Sequence, residues 1–193
     1  MKVIGLTGGV GAGKSLILNI LKKEYGAEVI KADEVSHELM EPGNAAYLAV
    51  REVFGNAFFK EDGKLDRQLM AARIFQDENA RKTINEIIHP LVWKTIRDKI
   101  SASHSALIVV EFAIMGEKTE NDYDEMWYVR ASEQNRIHRL AENRGYTKER
   151  TEDIIASQAS ESEYLERCDR VIENNGSIEE LKSQLAEILK DRG

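Results

Sequence analysis

The 193-residue chain carries one cysteine, Cys168, so no disulfide can form within it. A reducing compartment, the cytoplasm, is the expected location. Prolines number only two, Pro42 and Pro90. No Pro/Gly/Ser-rich linker, low-complexity tract or internal repeat divides the chain. Nowhere do apolar residues run on toward the roughly 20 needed to span a bilayer. The opening "MKVIGLTGG" turns to glycine too soon for a secretory signal. Blocks of one charge are also lacking: 27 Lys and Arg are interspersed with 34 Asp and Glu, for a net charge of −7. A chain without a basic tract lacks the electrostatic footprint of a nucleic-acid binder. These absences leave a protein that handles small molecules, with no nucleic-acid or membrane partner; a monomer or weak homo-oligomer is the expectation, which composition does not decide.

What is present suits one globular domain. Hydrophobic residues make up 42% and charged residues 32% of the chain. A chain of this length buries roughly 70% of its unfolded surface on folding, enough for a core without staples. Short β-like runs at 2–7, 28–31, 106–111, 125–130 and 170–173 alternate with longer helical patterns. Such alternation predicts an α/β fold with a mostly parallel sheet covered on both faces. The strongest helix, 79–103, carries Ile84, Ile87, Ile88, Leu91, Val92, Ile96 and Ile100 at helical spacing. Pro90 lies within that stripe, and its missing donor predicts a kink or break. A final helix opens on "SIEE", a capping box of Ser177 and Glu180, with Ile178, Leu181, Leu185 and Ile188 as its buried stripe. Cys168 reads as a small buried hydrophobe.

The sharpest signal is "GGVGAGKS" at 8–15, which satisfies G-x-x-x-x-G-K-[ST] between a predicted strand and the helix that begins "LILNILKKEYG". The glycines Gly8, Gly9, Gly11 and Gly13, with Ala12 between them, let backbone amides close on a phosphate. Those amides stand at a helix N-terminus, where orphan N–H groups and the helix dipole favour an anion. Lys14 is expected on the β- and γ-phosphates, and the Ser15 hydroxyl on the Mg²⁺ that accompanies ATP. The N-K-x-D guanine reader of GTPases is absent. ATP is the expected nucleotide.

Other candidates are less self-sufficient. Asp33 follows the second strand in "VIKADEVSHEL" and reads equally as a helix cap or as a base for a hydroxyl acceptor. Glu111 closes the apolar strand "ALIVVE" and resembles the acid that holds Mg²⁺ through water. In "SEQNRIHRLAENRG", Ser132 reads as a cap, and Arg136 and Arg139 share one helical face. Arg144 reaches the same phosphate only if the helix ends near Gly145. His89, before Pro90, reads as structural or as a ligand.

Taken in order, these segments resemble the dephospho-CoA kinase family from end to end. The resemblance rests on "IGLTGGVGAGKS" at 4–15, "ADEVSHELMEPG" at 32–43, "INEIIHP" at 84–90, "RIHRL" at 136–140, "ASQ" at 156–158 and "CDRVIENNG" at 168–176. It implies a P-loop three-layer α/β/α fold with a five-stranded parallel sheet in the order 2-3-1-4-5. The nucleotide-binding core would comprise 1–32, 105–131 and 168–193, with a helical CoA-substrate subdomain at about 33–104 and a lid at about 132–160. It further implies transfer of the ATP γ-phosphate to the 3′-hydroxyl of dephospho-CoA, with Asp33 as base and Lys14 and Arg139 as catalytic cations. ATP would meet residues 8, 9 and 11–16, which include Leu16, together with Arg139, Arg144, Asn174 and Gly176. Thr7, Asp33, His37, His89 and Arg136 would serve the substrate. A nucleoside or nucleoside-monophosphate kinase, or a silent nucleotide-binding paralogue, are the alternatives. The chain departs from the family pattern at Lys31, where an acid is usual, at Leu16 in place of threonine, at Asn143 in place of a second lid arginine, and across Ala113–Glu117.

Overall fold

The computed structural model describes residues 1–112 and 123–190, so the departure at 113–117 lies outside the described residues. Among the described residues five strands alternate with nine helices: β1 (Lys2–Thr7), α1 (Lys14–Tyr25), β2 (Glu28–Lys31), α2 (Ala32–Leu39), α3 (Ala45–Phe54), α4 (Arg67–Gln76), α5 (Glu78–Ala102), β3 (Leu107–Glu111), β4 (Glu125–Arg130), α6 (Glu133–Arg144), α7 (Lys148–Ala156), α8 (Glu161–Arg167), β5 (Arg170–Glu173) and α9 (Ile178–Lys190). The strands form one sheet in the order β2-β3-β1-β4-β5. All five lie parallel, with helices on both faces, as the sequence pattern predicts.

Strand β1 is central because it is apolar on both sides, and its residues from Val3 to Thr7 are all buried. It pairs with β3 through Val3↔Ile108 and Ile4↔Val109, and with β4 through Leu6↔Trp127 and Thr7↔Tyr128. Ile17 and Leu21 of α1 and Leu181 and Leu185 of α9 join Ile4 and Trp127 in one buried cluster. This layer holds the carboxyl end of β1 rigid, and the glycine loop starts there.

The chain divides into two compact units, Met1–Val29 with His104–Gly193, and Ile30–Ser103. In the second unit α2, α3 and α4 each pack on α5. Ile84, Ile88, Val92 and Ile96 of α5 are buried, as the helical spacing requires. Of the kink or break expected at Pro90, the break does not occur: α5 runs through it as helix. Pro90 and its neighbour His89 lie on the exposed face. There water can satisfy the carbonyl that the proline leaves without a donor, while the buried stripe continues on the other side.

Local signals fare well elsewhere. Ser177 and Glu180 form the capping box, with Ser177 N–H donating to Glu180 Oε2 at 2.7 Å and Glu180 N–H to Ser177 Oγ at 3.2 Å. Ile178, expected in the buried stripe of α9, is 49% exposed as the first residue of that helix. Cys168 is half-buried rather than buried, at the end of α8.

Candidate active site

The loop between β1 and α1 comes first. Gly13 caps α1 with φ of 96°, a left-handed conformation in which a side chain is strained, and among the described residues no side chain caps the helix. Among the described residues no acceptor engages the amides of Gly11, Gly13 or Ser15. Uncapped N–H groups at the start of a twelve-residue helix form a site for an anion.

The loop's carbonyl oxygens, by contrast, are held. Lys14 Nζ donates to Gly8 O at 2.7 Å. Arg136 Nε donates to Val10 O at 2.7 Å. Arg139 Nη1 donates to Ala12 O at 3.2 Å, and its Nη2 to Asn174 O at 2.7 Å. Asn174 Nδ2 adds a second donor to Ala12 O at 2.7 Å. Each peptide unit has one donor and one acceptor pointing opposite ways, so anchoring the carbonyls outward turns the amides toward the phosphate side. Lys14 Nζ also stands 3.6 Å from Glu111 Oε1, with both side chains 13% exposed. Glu111 ends β3 beside the loop's lysine, and the Ser15 hydroxyl lies in the first turn of α1. A carboxylate and a hydroxyl are hard oxygen donors of the kind that suit Mg²⁺. Among the described residues no cluster of three His, Cys, Asp or Glu forms a metal site.

Helix α6 delivers both arginines because its ends are well defined. Ser132 Oγ accepts from Asn135 N–H at 3.2 Å, and Gly145 closes the helix with φ of 63°. Arg136 and Arg139 share one face and reach the loop. Arg144, the last helical residue, is exposed and has no partner among the described residues. Burial lowers the Arg136 pKa from the usual guanidinium value, opposed by the nearby hydroxyls of Tyr128 and Tyr164. Those rings stack at 4.6 Å, and burial raises both phenol pKa values. Guanidinium nonetheless keeps its proton at neutral pH.

Thr7 is fully buried at the end of β1, and its Oγ1 has no hydrogen-bond partner among the described residues. Leu16 packs against the core of the first unit, which accounts for an apolar residue where the family has threonine. Asn143 turns its Nδ2 back to Arg139 O at 2.8 Å. Gly176 is exposed just before α9. Asp33, His37 and His89 belong to the second unit and are exposed, and no hydrogen bond or ion pair to a described residue involves their side chains. Asp33 does not cap: Lys31 is the N-cap of α2, and Asp33 sits one residue inside the helix start, where the dipole favours an acid. Lys31 pairs with Glu34 at 2.7 Å.

Two further participants lie within "ASQ" and "CDRVIENNG" but are not among the site residues expected from the sequence. Gln158, just past α7, accepts from both Val10 N–H and Arg136, and Asn175 Oδ1 accepts from Ser132 N–H at 2.7 Å. Their partners lie 22 to 148 residues away, so periodicity says nothing of them.

A parallel 2-3-1-4-5 sheet with an open, lysine-bearing loop between its central strand and the next helix defines a P-loop kinase. The dephospho-CoA kinase family model matches residues 2–180. A dephospho-CoA kinase from Carboxydothermus hydrogenoformans is 34% identical over 98% of this chain and 94% of its own. One from Corynebacterium glutamicum is 33% identical over 99% and 100%. A Thermus thermophilus crystal structure covers 100% of this chain and 98% of its own at TM-score 0.85 and 26% identity. A shikimate kinase from Acinetobacter baumannii shares the fold, at TM-score 0.56 and 15% identity, covering 100% and 95%. The chain belongs to the dephospho-CoA kinase family.

Proposed function

We propose that the protein transfers the γ-phosphoryl group of ATP to the ribose 3′-hydroxyl of dephospho-CoA, giving CoA and ADP in the last step of coenzyme A synthesis. Its family membership along nearly the whole chain, joined to an open phosphate loop, carries this reading. The ATP phosphates lie on the loop amides, and Lys14 exchanges Gly8 O and Glu111 for β- and γ-phosphate oxygens. Asp33 orients the 3′-hydroxyl and takes its proton as the new O–P bond forms and the bond to ADP breaks. Arg139 and Arg144 supply positive charge as the phosphoryl moves and water is excluded. Ser15 and, through water, Glu111 would hold the Mg²⁺ that comes with ATP, which neutralises phosphate charge when bound.

His37 and His89, in the helical unit, serve the CoA substrate, and residues 33–104 form its subdomain. Thr7 and Arg136 act from behind the phosphate loop, a placement supported by the burial of Thr7 and the bond of Arg136 to Val10 O. The segment at Asn174 and Gly176 receives the adenine end of ATP, and 132–160 forms the lid. Among the described residues no helix is long and apolar enough to cross a membrane. Substrates of this polarity fit a cytoplasmic enzyme.

The test is ADP release from ATP-Mg²⁺ with dephospho-CoA, AMP or a nucleoside supplied separately. ADP should appear with dephospho-CoA alone. ADP with AMP instead would make the chain a nucleoside-monophosphate kinase, and no ADP with any acceptor would make it a silent binder.

A further inference from the structure

The "ASQ" segment lies within the proposed lid but carries no residue role in the mechanism above, yet its glutamine reaches the phosphate loop. Gln158 Oε1 accepts from Val10 N–H at 3.1 Å and from Arg136 Nη2 at 2.5 Å. Arg136 Nε donates to Val10 O at 2.7 Å. The three residues therefore close a ring in which both polar groups of Val10 are taken by side chains. The orientation of the Gln158 amide follows from chemistry, because both facing groups are donors only and the oxygen must face them. Its own backbone is fixed as well, with Gln158 N–H donating to Ile155 O at 3.1 Å at the end of α7.

The loop is shaped around this ring. A Cβ on Gly9 would fall 2.6 Å from Arg136 Cζ and 2.8 Å from Gln158 Oε1, closer than real side chains pack. Gly9 is thus small because the guanidinium and the amide occupy that space. Val10 N–H points away to Gln158, so the residue just before the uncommitted amides of the loop has no freedom left to turn.

We infer that Gln158 is a positioning residue for the phosphate loop, which uses its amide oxygen to lock Val10 and Arg136 in the conformation that receives the ATP phosphates. The inference rests on the ATP reading above. Without the lock, ordering the loop falls on the binding step, and affinity for ATP drops while the CoA substrate is unaffected.

The test replaces the acceptor while keeping the size: Gln158→Met, with Gln158→Glu as the variant that keeps an acceptor oxygen. In nucleotide-free protein, exchange of the Val10 amide should quicken about tenfold in Gln158→Met and stay protected in Gln158→Glu. The Kd for ATP should rise about tenfold in Gln158→Met, with the KM for dephospho-CoA and the thermal midpoint near wild type. Val10 exchange or ATP affinity within about twofold of wild type in Gln158→Met, or loss of Val10 protection in Gln158→Glu, would overturn the inference. Wild-type protein that binds no ATP would instead overturn the function proposed above, and this inference with it. Retained ATP binding with an indifferent Gln158 overturns the inference alone.

Discussion

Arg144 apart, the two units treat their candidate functional residues in opposite ways. In the first, Lys14, Arg136, Arg139 and Asn174 are all hydrogen-bonded to backbone carbonyls, and Asn174 is only 4% exposed. In the second, Asp33, His37 and His89 stand exposed with side chains that no described residue holds. A phosphate site needs its amides aimed before the anion arrives, because turning peptides at the moment of binding costs ordering entropy. A base acting on a hydroxyl needs reach to one oxygen, which the substrate itself can bring. The contrast separates a built site from a waiting one.

The comparison breaks most sharply at Lys14. Lys14→Ala removes the donor on Gly8 O and, under the proposed function, the partner of the phosphates, and ADP formation should fall about a thousandfold. Asp33→Asn should lower kcat about a hundredfold or more. Because no described residue bonds the Asp33 side chain, the variant's ATP affinity should match wild type, and its thermal midpoint should fall only by the small dipole contribution at the start of α2. A loss of less than about tenfold in kcat would remove Asp33 as the base. Asn174→Ala tests the opposite quality. It withdraws a buried donor from Ala12 O, so it should cost about 2 kcal/mol, read as a thermal midpoint roughly 5 °C lower, together with weaker ATP binding. A change confined to turnover would show that Asn174 is not part of the built site.

The smallest effect concerns pH. Asp77 caps α5 of the second unit, where its acceptance of the Ala80 N–H, at 3.0 Å, lowers its pKa. A carboxylate with a lowered native pKa stabilises fully above its unfolded value, near pH 4, and its contribution disappears as pH falls through the native value. Urea midpoints measured from pH 6 to pH 3 should therefore fall less steeply in Asp77→Asn, which keeps a capping oxygen that does not titrate.

Legibility in the sequence followed the range of the interaction. Four strands match their predicted spans and β3 begins one residue late, because apolar runs and turn residues are local signals. The caps at Ser132 and Ser177 depend on neighbours three residues away. The helix does not break at Pro90, because the effect of a proline depends on which face of α5 meets water, and only packing sets that face. Asp33 seemed balanced between cap and base; the helix starting at Ala32 removes the first of these roles.

The sequence by itself determined the α/β alternation, the phosphate loop with its lysine, and the family. Each is written in residues adjacent along the chain or in the order of short motifs. Only the tertiary structure decided where Arg136 and Arg139 point, that Asn174 holds the loop through Ala12 O, and that Gln158 shares one oxygen between Val10 and an arginine. These bonds join residues 22 to 162 positions apart, and no spacing rule encodes a partner that folding alone brings near.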